Sequence, residues 1–150
     1  MNRIVILLVA VLVIAASPAI AQDDPASSDV EFLGPFADLP FSEAVRVGNT
    51  LYLSGQIGID PATGKHPDRG IQPETRQTLT NIKTVVEKYG SSMDQVVKCT
   101  VMLADIAEWP AMNEVYKTFF PNNKPARSAF AGTGLALDSR VEIECIAVVE

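Results

Sequence analysis

Histidine and cysteine are scarce in this sequence. The single histidine, His66, leaves little support for a histidine-based metal cluster or for a Ser-His-Asp triad. The two cysteines, Cys99 and Cys145, are too few for a disulfide-rich scaffold or for a zinc site with four thiolates. We therefore expect no metal site, and we interpret His66 as a solvated loop residue.

Basic residues are also in the minority. The chain of 150 residues has 12 Lys and Arg against 18 Asp and Glu, which gives a net charge of −6. Because a protein that grips a phosphate backbone needs excess positive charge, we expect no nucleic-acid partner. Apolar residues make up 47 % and charged residues 20 % of the chain, which is typical of a globular protein and excludes extensive disorder. The length predicts one domain.

The amino terminus has the layout of a secretory signal peptide. A positive charge at Arg3 precedes an apolar run from Ile4 to Ala16, and small residues flank Ile20 before the polar Gln22. The run is shorter than the roughly 20 residues of a membrane span, so an uncleaved anchor is the less favoured interpretation. We predict a signal peptide at 1–21, a flexible lead at 22–35 and a domain at 36–150. The mature protein is then periplasmic or secreted, with no stable membrane anchor.

Strand and helix patterns alternate through the domain. Two β-rich runs at 41–47 and 50–56 flank Gly48-Asn49, a pair suited to a tight hairpin. Apolar residues at helical spacing predict helices at 73–89 and 110–120, and further strands are predicted at 96–104, 126–135 and 141–149. This order predicts a layered α+β domain.

The two long strands carry apolar residues on both faces. In the strand at 96–104 we place Val97 with Cys99 on one face and Val96 with Met102 on the other. Two helices cover only one face of a sheet, so the second face is expected to meet another subunit; a moderately apolar exposed face is the alternative. Both cysteines are expected on the helix-covered face, as free buried thiols.

Five short motifs now carry a family resemblance. They are Pro-Phe-Ser-Glu-Ala-Val at 40–45, Leu-Ser-Gly-Gln at 53–56, Asn-Glu-Val-Tyr at 113–116, Pro-Ala-Arg-Ser at 125–128 and Val-Glu-Ile-Glu at 141–144. In order and spacing the chain resembles the RidA/YjgF/UK114 family from about residue 40 to residue 149. The resemblance implies a fold like that of chorismate mutase, with a mixed sheet, two helices on one face and a homotrimer that has clefts between its subunits.

The resemblance also implies an activity without a cofactor. Family members hydrolyse enamines and imines derived from amino acids, giving 2-oxo acids and ammonia. Arg127 suits the substrate carboxylate, because a guanidinium grips a carboxylate through two parallel hydrogen bonds and stays charged. Glu142 suits the attacking water, because a carboxylate in a cleft orients water and accepts its proton. Taken alone, Arg127 fits a surface salt bridge and Glu142 a solvated strand position; the surrounding motifs favour the site.

Six further residues are implied to bind substrate or to line the pocket: Phe41, Ser54, Gly55, Asn113, Tyr116 and Ala129. Phe41 stands where many active members have tyrosine, so it keeps the aromatic wall and lacks the hydroxyl. Ala129 stands where many have cysteine, so the thiol is missing and a backbone contact is what the resemblance leaves there. For Phe41 and Tyr116 the alternative is core packing. For Asn113 it is a hydrogen bond within the helix surroundings, and for Ser54 it is a strand hydroxyl with no chemical role. Trp109 is interpreted as packing at the start of a helix.

Two other functions remain open from the sequence. One is a noncatalytic trimer that binds small carboxylates or shields unfolded proteins through the same architecture. The other is a ribonuclease, which the acidic charge balance disfavours. Release of ammonia from a freshly generated imine separates the deaminase from the noncatalytic trimer, and purified protein that leaves RNA intact would exclude the ribonuclease.

Overall fold

The structure is a computed structural model that describes residues 29–35, 38–66 and 68–150. The predicted signal peptide at 1–21 and residues 22–28 of the predicted lead lie outside the described residues. In the part that is described, no helix combines the length and apolar character needed to cross a membrane.

Within these ranges seven strands and two α-helices form one mixed sheet with a helical layer. Their bounds are β1 (Val30–Pro35), β2 (Ser42–Val47), β3 (Thr50–Leu53), β4 (Gln56–Ile57), α1 (Ile71–Lys88), β5 (Val96–Leu103), α2 (Trp109–Phe119), β6 (Ala126–Ala131) and β7 (Val141–Val148). The sheet order is β1-β2-β3-β7-β5-β6, with β4 paired to β7. Strands β5 and β6 run parallel, and the other pairs are antiparallel. The predicted α+β architecture is confirmed.

Local sequence explains these elements. Gly48 adopts a φ of 58° between β2 and β3, a left-handed conformation that glycine tolerates and that the tight hairpin requires. In α1 the residues Leu79, Ile82 and Val86 are fully buried, as their helical spacing predicted. Both helices therefore present their apolar stripe to the same side of the sheet, and the hydrophobic core lies between the two layers.

The alternation of buried residues along β7 is regular, but that of β5 is broken by a bulge. Val141, Ile143, Cys145 and Ala147 are buried against the helices. In β5 the register shifts between Val96 and Lys98, so that Val96 is 3 % exposed and Val97 is 47 % exposed. Val96 and Val97 therefore each lie on the face opposite to the predicted one. The reason is that a bulge inserts an extra residue and reverses the alternation beyond it.

Two predicted boundaries differ from the structure. The folded domain begins with β1 at Val30 rather than after residue 35, because the backbone of β1 pairs with β2 from Val30 opposite Val47 to Pro35 opposite Ser42. Strand β6 ends at Ala131 rather than near residue 135. Its partner β5 ends at Leu103, which pairs with Ala131, so this ladder stops at that point.

The prediction of free cysteines was wrong. Cys99 on β5 and Cys145 on β7 form a disulfide, with 4.2 Å between their Cα atoms. The two residues stand directly opposite each other in the antiparallel register, which brings their Cα atoms well within bonding range. Both lie on the helix-covered face, as predicted.

His66 is not a solvated loop residue either. Its side chain is 10 % exposed, and its Nδ1 atom lies 2.9 Å from the carbonyl oxygen of Gly58 and 3.5 Å from Oε2 of the buried Glu74. The ring therefore fastens the loop before α1 to the start of that helix. The described residues contain no cluster of three or more side chains suited to hold a metal ion.

Candidate active site

Arg127 points from β6 toward the helical layer. In the parallel register it stands opposite Cys99, whose side chain is buried beneath the helices, so both side chains share that face. The Nη1 atom of Arg127 donates a hydrogen bond to Oδ1 of Asn113 on α2 over 2.7 Å. The amide therefore fixes one edge of the guanidinium without neutralising its charge.

Two aromatic rings of α2 flank the same guanidinium. The Cζ atom of Arg127 lies 4.6 Å from the ring centre of Tyr116 and 5.8 Å from that of Trp109. Burial raises the pKa of Tyr116 to about 12, against the lowering effect of the Arg127 charge. Its hydroxyl is buried and has no hydrogen-bond partner among the described residues. Tyr116 therefore acts through its ring, which holds the cation by a cation–π contact.

These groups line a cavity of about 420 Å³ at the junction of α2 and β6. Its walls are formed by Trp109, Asn113, Tyr116, Lys117, Phe120, Lys124, Pro125 and Arg127. The size is that of a small-molecule site, and the lining combines an aromatic wall with a fixed cation. This arrangement can hold a small carboxylate at Arg127 and shield the rest of the ligand from water.

Five cavity residues were not in the predicted site: Trp109, Lys117, Phe120, Lys124 and Pro125. Trp109 stands four and seven residues before Asn113 and Tyr116, and this helical spacing was a usable signal that all three share a face. Lys117 lies one residue beyond Tyr116, and Lys124 lies in the loop before Pro125, where no periodic pattern applies. Only their closeness to the predicted motifs pointed to them.

Glu142 lies in a second cluster, against the backbone at Gly55. A Cβ atom placed on Gly55 would collide with Oε1 of Glu142 and would lie 3.0 Å from its Cδ, so only glycine leaves room for the carboxylate there. Burial raises the pKa of Glu142 above its ordinary value, and the charge of the neighbouring Glu144 raises it further. A carboxylate with a raised pKa is a stronger base than an ordinary one, which suits proton transfer from water.

Ser54 and Phe41 stand beside this second cluster. The Oγ atom of Ser54 donates to the carbonyl oxygen of Ser42 over 2.6 Å, which fixes the start of β2 directly after Phe41. Phe41 is 47 % exposed, so its ring is not part of the buried core. Glu142 lies against Gly55, Ser54 precedes Gly55, and Phe41 precedes the Ser42 carbonyl to which Ser54 bonds; their roles in binding substrate stay a prediction.

Ala129 follows Arg127 by two positions on β6 and shares its face. Its side chain is partly buried and packs against the core opposite Val101, and it is not part of the cavity wall. The structure therefore places Ala129 next to the Arg127 cluster without giving its methyl group to the cavity.

The two clusters lie on opposite faces of the sheet. Glu142 stands opposite Met102 in the ladder, and Met102 in turn stands opposite Phe130, so these three side chains share the face away from the helices. Arg127 and the buried Cys99 share the helical face. One chain therefore does not bring Arg127 and Glu142 together.

A larger groove of about 510 Å³ lies between α1 and the end of α2. It is lined by charged residues of both signs, among them Lys83 and Glu87, whose Nζ and Oε1 atoms are 3.8 Å apart. None of the predicted site residues reaches it. We assign the candidate site to the smaller cavity because its Arg127 is held by Asn113 and, among the described residues, has no ion-pair partner.

Comparison with known proteins identifies the family. The family described as Endoribonuclease L-PSP matches residues 34–149. The 2-iminobutanoate/2-iminopropanoate deaminase of the goat, Capra hircus, is 46 % identical over 114 residues, which cover 76 % of this chain and 83 % of that protein.

Solved structures agree with this assignment. RidA from the Antarctic bacterium Psychrobacter is 37 % identical, with a TM-score of 0.72 over 79 % of this chain and 96 % of that one. TdcF of E. coli, solved with bound serine, is 35 % identical, with a TM-score of 0.72 over 80 % and 96 % of the two chains. The chain belongs to the Endoribonuclease L-PSP family, which is the RidA/YjgF/UK114 family that its five motifs resemble.

Proposed function

We propose that this protein hydrolyses 2-imino acids and their enamine tautomers to 2-oxo acids and ammonia. The observation that carries the proposal is Arg127, a cation held by Asn113 and two aromatic rings in a cavity. Among the described residues no carboxylate forms an ion pair with it. The goat relative is named a deaminase of two small 2-imino acids, which are monocarboxylates of the size that this cavity accepts.

The chemistry assigns a role to each cluster. Arg127 holds the substrate carboxylate by two parallel hydrogen bonds and so fixes the adjacent imine carbon. Glu142 accepts a proton from water, whose oxygen forms a bond to that carbon and gives a carbinolamine. Glu142 returns this proton to the nitrogen, and a second proton moves from the carbinolamine hydroxyl to the nitrogen as the carbon–nitrogen bond breaks. The nitrogen leaves as ammonia, and the carbon becomes the carbonyl of the 2-oxo acid. These reaction steps involve no redox change and no cofactor.

The same mechanism requires two copies of the chain. Because Arg127 and Glu142 face opposite sides of their own sheet, the Glu142 face of one copy must meet the Arg127 face of another to form a complete site. The face that carries Glu142 also exposes Tyr52 and Phe130, at 47 % and 50 %, and apolar surface of this kind favours association. We propose a homotrimer with one site in each cleft between subunits, and sedimentation equilibrium measures its mass.

The direct test of the activity is ammonia release from an imine made in the assay. A flavin amino-acid oxidase converts an amino acid to its imine, and the added protein is expected to speed formation of the 2-oxo acid and ammonia. Arg127→Ala is expected to abolish the acceleration. Saturable binding of small carboxylates without faster ammonia release would instead support a noncatalytic binding protein, and cleavage of added RNA would support a ribonuclease.

We further propose export to the periplasm or the medium after cleavage behind Ala21. The charged start, the apolar run and the small residues before Gln22 support this, and so does the Cys99–Cys145 disulfide, which is a bond of oxidising compartments. Mass spectrometry of the protein recovered from cell fractions is expected to find a chain that starts at Gln22 outside the cytoplasm. An intact Met1 terminus in the cytoplasmic fraction would contradict export.

A further inference from the structure

The cavity beside Arg127 holds more positive charge than one substrate carboxylate requires. Three of the residues that line it are cations, Lys117, Lys124 and Arg127, and no aspartate or glutamate is among them. The protein as a whole is acidic, with a net charge of −6, so this concentration of cations runs against the composition of the chain.

Only one of the three cations is compensated. The Nζ atom of Lys117 lies 2.6 Å from Oε2 of Glu114, one turn earlier on α2. Within the described residues, neither Lys124 nor Arg127 forms an ion pair. A 2-imino acid with one carboxylate satisfies Arg127 and leaves the charge of Lys124 without a partner.

Lys124 is placed to reach the far end of a ligand held at Arg127. The two residues are three positions apart, at the entry to β6, and both contribute to the same cavity wall. Three residue steps span at most about 11 Å, a gap that a long lysine side chain and a short diacid bridge together. Pro125 between them fixes its own φ and so restricts the approach of the loop to the strand.

We propose that Lys124 is a specificity-determining residue that binds the second carboxylate of imines derived from acidic amino acids. The inference rests on the proposed deaminase function and adds a substrate class to it: 2-imino dicarboxylates of four and five carbons. Arg127 holds the carboxylate next to the imine carbon, and Lys124 pairs with the distal carboxylate. The bonds that form and break at the imine carbon are the same as in the hydrolysis proposed for monocarboxylate imines.

The experiment compares two substrates across three variants. An oxidase that accepts dicarboxylic amino acids supplies 2-iminoglutarate, and one that accepts alanine supplies 2-iminopropanoate. Lys124→Met is expected to lower kcat/KM for 2-iminoglutarate about five- to tenfold, as the loss of one charge-assisted hydrogen bond at an accessible site implies, and to change it less than about twofold for 2-iminopropanoate. Lys124→Arg is expected to restore the preference. Lys83→Met, on α1 away from this cavity, removes the same charge as a control.

An equal change with both substrates, or no change with either, would overturn the role of Lys124. A calorimetric measurement separates this outcome from failure of the deaminase proposal. Wild-type protein is expected to bind 2-oxoglutarate more tightly than pyruvate, and Lys124→Met is expected to remove the difference. If no imine is hydrolysed while this difference persists, the deaminase proposal fails and the role of Lys124 stands. If imines are hydrolysed and no such difference exists, the role of Lys124 alone fails.

Discussion

Arg127 and Asn113 are joined by a hydrogen bond of 2.7 Å in which the guanidinium donates and the side-chain amide accepts. The bond ties the start of β6 to the middle of α2 and uses one donor of a planar group that has five. The other donors remain for a carboxylate, which accepts two of them in parallel. The site therefore depends on the shape of the guanidinium as well as on its charge.

This geometry predicts the effect of a conservative change. Arg127→Lys is expected to lower kcat/KM about a hundredfold or more, because one ammonium group cannot bind Asn113 and both carboxylate oxygens in fixed positions, and a misplaced carboxylate misplaces the imine carbon. Steady-state kinetics on 2-iminopropanoate measure the loss. Circular dichroism is expected to show an unchanged fold, and near-normal turnover by Arg127→Lys would reject the carboxylate clamp.

Gly55 controls the position of Glu142. Gly55→Ala is expected to reduce kcat by at least about tenfold, because the new Cβ displaces the Glu142 carboxylate from the place where it meets water. Gly132→Ala is the matched control, since the nearest atom to its added Cβ is 3.8 Å away and its backbone does not require glycine. Equal activities of the two variants would show that the contact between Gly55 and Glu142 has no catalytic consequence.

The pKa of Glu142 predicts an acid limb in the pH profile. Glu142 must be ionised to accept a proton, and its pKa is raised above the ordinary 4.5 by burial and then by Glu144. Activity is therefore expected to fall as the pH drops through a value above 4.5. Glu144→Gln removes the second cause and is expected to move the limb to lower pH. An acid limb that does not move in Glu144→Gln would show that the pH dependence does not come from Glu142.

The disulfide predicts a redox-dependent stability. Its cysteines are 46 residues apart, and closing a loop of that length corresponds to about 4 kcal/mol in the chain-entropy account. Urea unfolding at fixed protein concentration is expected to show a loss of about 2–4 kcal/mol when a reductant is added. The double variant Cys99→Ala/Cys145→Ala is expected to be insensitive to the reductant. Wild-type protein with two free thiols and no response would contradict the bond.

Much of the fold follows from local patterns in the sequence. The hairpin at Gly48 and the buried stripe of α1 were predicted because turn chemistry and helical periodicity are properties of short segments. The reversed faces of Val96 and Val97 were missed because a bulge depends on the partner strand. The Cys99–Cys145 bond was missed for the same reason, since it requires the register between β5 and β7, which no single segment encodes.

Part of the site was predictable because its residues lie in short local motifs. The motifs identified Arg127, Asn113 and Tyr116, and the structure brings these three into contact. The expectation that Cys145 lies on the helix-covered face already put Glu142, three positions away, on the other face. No local pattern indicated the face of Arg127, because that face depends on how β6 pairs with β5. Lys124 was missed because a loop lysine is usually solvated and only the cavity relates it to Arg127.

The most direct test of the account mixes two inactive proteins. Arg127→Ala and Glu142→Gln are each expected to be inactive, because each removes one half of every site. When equal amounts are unfolded together and refolded as mixed trimers, about a quarter of the sites combine an intact Arg127 from one chain with an intact Glu142 from another, so about a quarter of the wild-type activity is expected to return. Recovery at that level is the result that we predict. A mixture that assembles into trimers and stays as inactive as its components would contradict a site shared between subunits.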